Sequence, residues 1–91
     1  MPQNYLKAVF WDHPELCDPE GVRRTIDQAV YHEDRQRILW IMARFLERGR
    51  VKDTALFFRL EEIRDALNSL KISSRAKKRW ERLIEVYGDT D

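Results

Sequence analysis

The 91 residues predict an all-α fold, a compact bundle of five to six short helices around a central apolar helix at about residues 35–48. Residues 38–46 form the longest nearly unbroken apolar run. A helix that is apolar on most sides must be covered from several directions. No segment alternates with the two-residue period of a strand. The presence of only 3 Gly and 3 Pro leaves few turns.

Two helices are predicted before the central one. The first is short and carries Tyr5, Leu6, Val9 and Phe10. Pro14 closes this segment, because the residue before a proline avoids the helical region. Asp18 followed by Pro19 is typical of a helix start, and the helix that follows has an apolar stripe of Val22, Ile26, Ala29 and Val30. The stripe lapses at residues 32–35, which predicts a break; one long helix is the alternative.

Three helices are predicted after the central one, which we expect to end at Gly49 as a left-handed cap. Asp53 can cap a short helix through residues 55–58. The next helix carries Leu60, Ile63, Ala66, Leu67 and Leu70. Ser73 is expected to cap the last helix, with its stripe of Ala76, Trp80, Leu83, Ile84 and Tyr87. We expect the core to centre on Trp40, Ile41, Phe45, Ile63, Leu67, Trp80 and Ile84.

Size and composition predict one domain, residues 1–91, with loose ends at 1–4 and 88–91. Cys17 is the only cysteine, so an internal disulfide is impossible, which fits a reducing compartment. The N-terminus lacks the basic and apolar regions of a secretory signal, and the central apolar run is too short to span a bilayer. These features predict a cytoplasmic protein without a membrane span.

The end of the chain is basic although the formal net charge is only +1. Within residues 71–82 one acidic residue, Glu81, accompanies Lys71, Arg75, Lys77, Lys78, Arg79 and Arg82. If Trp80 points inward, helical spacing places Arg75, Lys78 and Arg82 together on the outward face. Basic residues in the first turns oppose the helix dipole, so local helix stability does not explain them. The interpretations are a solvated face, a nucleic-acid contact or a contact with an acidic protein surface.

The helix pair that ends in this basic helix, residues 73–87, also fits a helix-turn-helix-like nucleic-acid-binding module, although its turn lacks the usual glycine. With so few basic side chains, such a module is expected to need a homodimer.

Aromatic residues in short segments predict a second surface, for a protein partner or a second copy of the chain: Phe10, Trp11, Phe57 and Phe58. The alternative places the rings of Phe10 and Trp11 in the core, with Asp12 capping a helix or pairing with an arginine.

The titratable residues do not predict an enzyme. His13 and Cys17 are four residues apart, and a zinc site normally needs three or four ligands. Nothing marks a base or an oxyanion site for Cys17. Adjacent acidic pairs face different ways on a helix, and there is no glycine-rich phosphate loop. We therefore expect no catalytic residues, no metal and no cofactor.

Several short motifs match a family pattern across residues 10–82. They are Phe10-Trp11-Asp12, the helix end at residues 44–49 followed by Asp53, then Ile63, Leu67, Ser73, Arg75 and Trp80. In these motifs the chain resembles a family of small uncharacterised prokaryotic helical proteins encoded beside abortive-infection-type nucleotidyltransferase toxins. The resemblance implies an antitoxin-like, non-enzymatic partner of a nucleotidyltransferase. The family has no established active site, so no catalytic residue is implied.

Overall fold

The computed structural model describes residues 4–87, with only the backbone for Asn4 and Tyr5. Its α-helices are α1 Asn4–Val9, α2 Pro19–Tyr31, α3 Arg35–Arg48, α4 Val51–Thr54, α5 Leu60–Ala66 and α6 Ser74–Tyr87. Short 3-10 helices cover Pro14–Leu16 and Leu67–Ser69. No strand occurs in residues 4–87, so the all-α prediction is confirmed. Of the predicted loose ends, Asn4 begins α1, and residues 1–3 and 88–91 lie outside the described residues.

Helix α3 is the central helix and spans the predicted residues. It packs against α1, α2, α4 and α6, while α5 lies against α6. Its fully or nearly buried side chains are Ile41, Met42, Phe45 and Leu46. Ile38 is partly buried on the same face, and Leu39 and Trp40 are partly buried against the same core on other sides of the helix. The breadth of the apolar surface thus explains why α3 needs several neighbours.

Local signals set the ends of α3. Residues 32–34 form a turn, in which Glu33 adopts a left-handed φ of 53°. The side chain of Asp34 then caps α3 by accepting a hydrogen bond from the backbone N–H of Arg37 at 3.2 Å. The predicted break is therefore confirmed, and α2 and α3 are not one helix. The predicted left-handed cap at Gly49 is wrong, because this residue is extended, with φ −93° and ψ 168°.

The core forms where α3 meets the other helices. Of the predicted core residues, Ile41, Phe45, Ile63, Leu67 and Trp80 are buried. Trp40 and Ile84 are only partly buried at its edge. Val30 and Tyr87 belong to the predicted stripes but are 60% and 58% exposed. Helical spacing places Val30 at the margin of its stripe, where α2 no longer faces its neighbours.

The short helices follow the predictions in part. Asp53 lies inside α4 and does not cap a helix over residues 55–58, so that prediction is wrong. Thr54 is instead the buried residue of α4, and its Oγ1 donates a hydrogen bond to the carbonyl of Arg50 at 2.8 Å. Ser73 caps α6 as predicted, because its Oγ accepts from the N–H of Ala76 at 3.2 Å.

Gly21 marks a close approach between α2 and the 3-10 helix before it. The residue is buried in the first turn of α2. A Cβ atom at this position would lie 2.0 Å from the backbone oxygen of Glu15. Backbone atoms cannot move aside as a flexible side chain does, so only glycine fits here without displacing the chain. Glycine lowers the helix propensity of α2 at this position, but its lack of a Cβ atom allows the two segments to pack.

We expect Gly21→Ala to lower the free energy of unfolding by about 1–3 kcal/mol, the usual cost of overpacking. This sign is opposite to the gain of roughly 1 kcal/mol that helix propensity alone predicts. Urea denaturation measures the change. Gln28→Ala, at an exposed position of the same helix, is the control and should be neutral or slightly stabilising. A Gly21→Ala variant as stable as the wild type would show that the approach relaxes easily.

Trp80→Ala and Phe45→Ala should each leave the protein largely unfolded. Both side chains are fully buried, and truncating such a ring costs about 3–5 kcal/mol. That loss is a large part of the about 5–15 kcal/mol that stabilises an ordinary domain. Thermal unfolding followed by circular dichroism tests this expectation. Trp11→Ala removes a ring that is 65% exposed and should melt near the wild-type temperature; equal effects at all three positions would contradict the packing described here.

Candidate binding surfaces

The outward face of α6 carries the basic face, which we define as Arg75, Lys78 and Arg82. All three residues are exposed, and Trp80 points inward as predicted. Among the described residues, no hydrogen bond or ion pair engages their side chains. Lys78 and Arg82 are four residues apart on one helix and repel each other weakly. The fold therefore leaves these three side chains without a direct partner among the described residues.

Arg79 has a different role from the basic face. Its Nη2 donates to the carbonyl oxygens of Leu46 and Gly49 at 3.4 and 3.3 Å. The Nε1 of Trp80 donates to the same Leu46 oxygen at 3.0 Å. These carbonyls lie at the C-terminal end of α3, where they lack partners within the helix and attract positive charge. Arg79 is thus a helix cap, which its position in the sequence did not indicate.

The predicted six-residue basic cluster is therefore divided. Lys77 is half-buried on the flank of α6. Lys71 precedes the helix and lies beside Trp40 and Ala43 of α3. Of the six residues, only Arg75, Lys78 and Arg82 share an outward face without a structural contact. Sequence spacing shows which residues share a face, but not which neighbours that face meets.

The connection between α5 and α6 is short. The 3-10 helix Leu67–Ser69 continues directly from α5, so residues 70–73 separate the helical segments. The turn in helix-turn-helix proteins is usually three to four residues long. The pair therefore keeps a connection of suitable length for the nucleic-acid interpretation, and α6 presents Arg75 and Lys78 in its N-terminal half.

The predicted aromatic surface is mostly part of the core. Phe10 and Phe58 are 0% and 4% exposed, so the prediction is wrong for these residues. Phe57 is half-buried, with its ring centroid 5.4 Å from that of Phe45 and the guanidinium of Arg23 over it. Trp11 alone of the four is largely exposed. The rings of Phe10, Phe57 and Phe58 pack around Phe45 and are covered there. The shortness of their segments did not indicate this burial.

A groove that the sequence did not reveal runs between α3 and residues 69–71. One part has a volume of about 420 Å³ and is lined by Trp40, Ala43, Arg44, Glu47, Arg48 and Lys71. An adjoining part of about 310 Å³ shares Trp40, Ala43 and Lys71 and adds Gln36, Leu39, Ser69 and Leu70. We call the two parts the Trp40 groove. Its walls are far apart in sequence, and Trp40 was expected in the core, so no local signal indicated it.

Arg44 ties α1 to α3 at one end of the groove. Its Nε and Nη2 donate to the carbonyl oxygen of Val9, at the end of α1, at 3.1 and 2.8 Å. Its guanidinium also forms an ion pair with Asp12 and lies over the rings of Phe10 and Trp40. The pairing of Asp12 with an arginine, one of the sequence alternatives, is confirmed.

Among the titratable groups described in residues 4–87, Asp12 is the one whose pKa the fold clearly changes. Partial loss of hydration raises the pKa of its carboxyl, but the hydrogen bond from Arg44 and the charge of Arg44 outweigh this effect. The pKa of Asp12 therefore lies below its ordinary value of 3.8. The charged carboxylate is the form that favours the folded state.

The residues that could support catalysis or metal binding do not converge. Cys17 is partly buried, and its Sγ donates to the carbonyl of Phe10 at 3.2 Å. The ring of His13 lies between two carboxylates, with Nε2 3.6 Å from Oδ2 of Asp12 and Nδ1 3.5 Å from Oε2 of Glu15. Across residues 4–87, no group of three or more His, Cys, Asp or Glu side chains is placed to hold a metal ion. Within the same range, no helix is long and apolar enough to cross a membrane.

Comparisons with protein-family models, with curated proteins and with solved structures find no significant match to this chain. What the protein does must therefore be inferred from its own surfaces. On the basic face of α6 and in the Trp40 groove, basic side chains that the fold itself does not use lie close together.

We expect Asp12→Asn to make stability less dependent on pH in acid. Because the folded pKa of Asp12 is depressed, its contribution to stability is present above 3.8 and is lost as the pH falls through the lower folded pKa. The free energy of unfolding, measured from neutral pH to below 3.8, should therefore fall less steeply in the variant. Asp27→Asn, at an exposed position of α2, is the control and should follow the wild type. Coincident profiles for both variants would contradict a stabilising Asp12–Arg44 pair.

Proposed function

We propose that the protein is a non-enzymatic interaction protein whose basic face binds an acidic surface on a protein partner. The observation that carries this proposal is that Arg75, Lys78 and Arg82 are exposed on one face and lack a partner among residues 4–87. The resemblance described above supports a specific partner, a nucleotidyltransferase that the protein would neutralise as an antitoxin does. We place this interaction in the cytoplasm, where the single cysteine would stay reduced.

The basic face lowers the stability of the isolated protein. A positive charge in the first turn of α6 opposes the helix dipole, by about 0.3–1 kcal/mol when exposed. Lys78 and Arg82 add a like-charge pair, which costs a few tenths of a kcal/mol, on the order of 0.2–0.5. The cap on α3 accounts for Arg79 but for none of these three residues. Binding to carboxylates would offset these costs and steer association.

An acidic protein fits this face better than a nucleic acid does. Non-specific affinity for nucleic acid grows with the number of phosphates neutralised, and three cations make a small footprint. Nucleic-acid binding by α6, in a homodimer, is therefore the second candidate.

The proposed antitoxin role allows two modes of action. The protein could cover the active-site cleft of the nucleotidyltransferase, or it could present one of its own residues for modification. Both modes need a stable complex. A variant that disrupts the complex without unfolding the protein therefore tests either one.

We expect Lys78→Glu combined with Arg82→Glu to weaken binding to a nucleotidyltransferase encoded beside the gene by about tenfold or more. The two lost charge contacts together are worth about 1.4 kcal/mol or more, which is a factor of about ten in affinity. Isothermal titration calorimetry measures the affinity. The matched control is Arg24→Glu combined with Lys52→Glu, which changes the net charge equally at exposed positions of α2 and α4.

Equal losses in the two double variants would show a general charge effect and would contradict a binding role for the basic face. Failure of the wild type to bind any such nucleotidyltransferase would contradict the antitoxin role. Salt-sensitive binding to duplex DNA that Lys78→Glu and Arg82→Glu abolish would favour the second candidate instead.

A further inference from the structure

We propose that the Trp40 groove binds an acidic peptide segment of a protein partner, in which an apolar side chain adjoins carboxylates. The inference rests on the proposed protein partner, but it assigns a second surface that does not include the basic face. It also names the chemistry that this surface would recognise.

The floor of the groove suits an apolar side chain. Leu39, Ala43 and Leu70 line it and are only partly buried, so each exposes apolar surface that an inserted side chain would cover. Together with Trp40 they make a concave surface, which excludes more water from a ligand than a flat one does. Covering apolar area contributes roughly 25 cal/mol per Å².

The polar groups of the groove divide into engaged and free ones. Arg44 is engaged by Asp12 and by the carbonyl of Val9. Both carboxylate oxygens of Glu47 are engaged, because they accept from the backbone N–H and the Oγ of Ser73 at 3.1 and 2.8 Å. These contacts hold the walls in place and satisfy the groups that make them.

The free charged groups in the groove are both cations. Arg48 and Lys71 are exposed, and neither forms an ion pair or hydrogen bond with any residue of the described range. The indole Nε1–H of Trp40 also lacks an acceptor there. Two positive charges and a neutral N–H beside an apolar floor are complementary to carboxylates that flank an apolar side chain.

The environment of Trp40 favours a peptide over a nucleobase. The guanidinium carbons of Arg37 and Arg44 already lie over its rings, 5.9 and 5.5 Å from the centroid. Single-stranded nucleic acids are usually bound by bases that stack on free aromatic faces. The two guanidinium groups therefore compete with a base for stacking on Trp40.

Trp40 is also held in one orientation before a ligand arrives. Its ring centroid lies 6.0 Å from that of Phe10 and 4.9 Å from that of His13. These contacts fix the ring from the side of α1 and the 3-10 helix. A pre-ordered ring loses little conformational freedom on binding, which favours affinity.

The experiment titrates the full chain, labelled with ¹⁵N, with a synthetic peptide in which one leucine is flanked by glutamates. The indole N–H signals provide an internal comparison. That of Trp40 should shift as it donates to a carboxylate. That of Trp80 is buried and bonded to Leu46, and that of Trp11 belongs to a ring that lines neither part of the groove, so both should stay unchanged. The backbone amides of Arg48 and Lys71 should shift together with Trp40.

Variants separate the groove from the basic face. Arg48→Gln and Lys71→Gln remove exposed groups without contacts in residues 4–87, so the fold should persist, and each should weaken peptide binding by about tenfold. Lys52→Gln should leave peptide binding unchanged, and the pair Lys78→Gln and Arg82→Gln should leave the peptide-induced shift of the Trp40 indole N–H unchanged. If the peptide shifts signals on α6 and not Trp40, the groove proposal is overturned while the proposed function survives.

Two other outcomes would also overturn the assignment. A saturable Trp40 shift that persists in both Arg48→Gln and Lys71→Gln would show that these cations do not recognise the carboxylates. A single-stranded oligonucleotide that moves the same signals at lower concentration than the peptide would assign the groove to nucleic acid.

Discussion

The structure depends on covering α3. Its apolar residues lie on several sides of the helix, and burying one large apolar side chain contributes about 1.5–3 kcal/mol. Helices α1, α2, α4 and α6 each take one side of it, and Phe45 alone has the rings of Phe10, Phe57 and Phe58 around it. None of the shorter helices has a core of its own. Their positions follow from the part of α3 that each one covers.

Polar contacts at the ends of the helices then fix how the neighbours lie on α3. At its C-terminal end, Trp80 and Arg79 donate to the carbonyls of Leu46 and Gly49, and Glu47 accepts from Ser73. These bonds satisfy groups that a helix end leaves without partners, and they join the end of α3 to the start of α6. Because Trp80 is bound on the inner side, Arg75, Lys78 and Arg82 must face outward.

The basic residues therefore fall into two groups, those that contact other parts of the chain and those that do not. Arg44 and Arg79 lie against backbone carbonyls of other segments, where a positive charge stabilises a helix end. Arg48 and Lys71, like the basic face, make no such contact among the described residues. A cation that stabilises nothing in its own chain is free to meet an anion on another molecule. The proposed surfaces rest on this difference in contacts. The total charge of the chain does not show which basic residues are engaged and which are free.

The sequence by itself determined the features that depend on one or two turns of chain. These include the extent of α3, the break at residues 32–34, the Ser73 cap and the inward side of α6, because capping groups and helical spacing act over a few residues. Tertiary structure decided what depends on residues far apart in the chain. The packing of the helices buries Phe10 and Phe58 and leaves no space for a Cβ atom at Gly21. It also brings Arg79 to the C-terminal carbonyls of α3 and Lys71 to the side of Trp40. Those outcomes follow from how the helices cover α3, and no local pattern records that geometry.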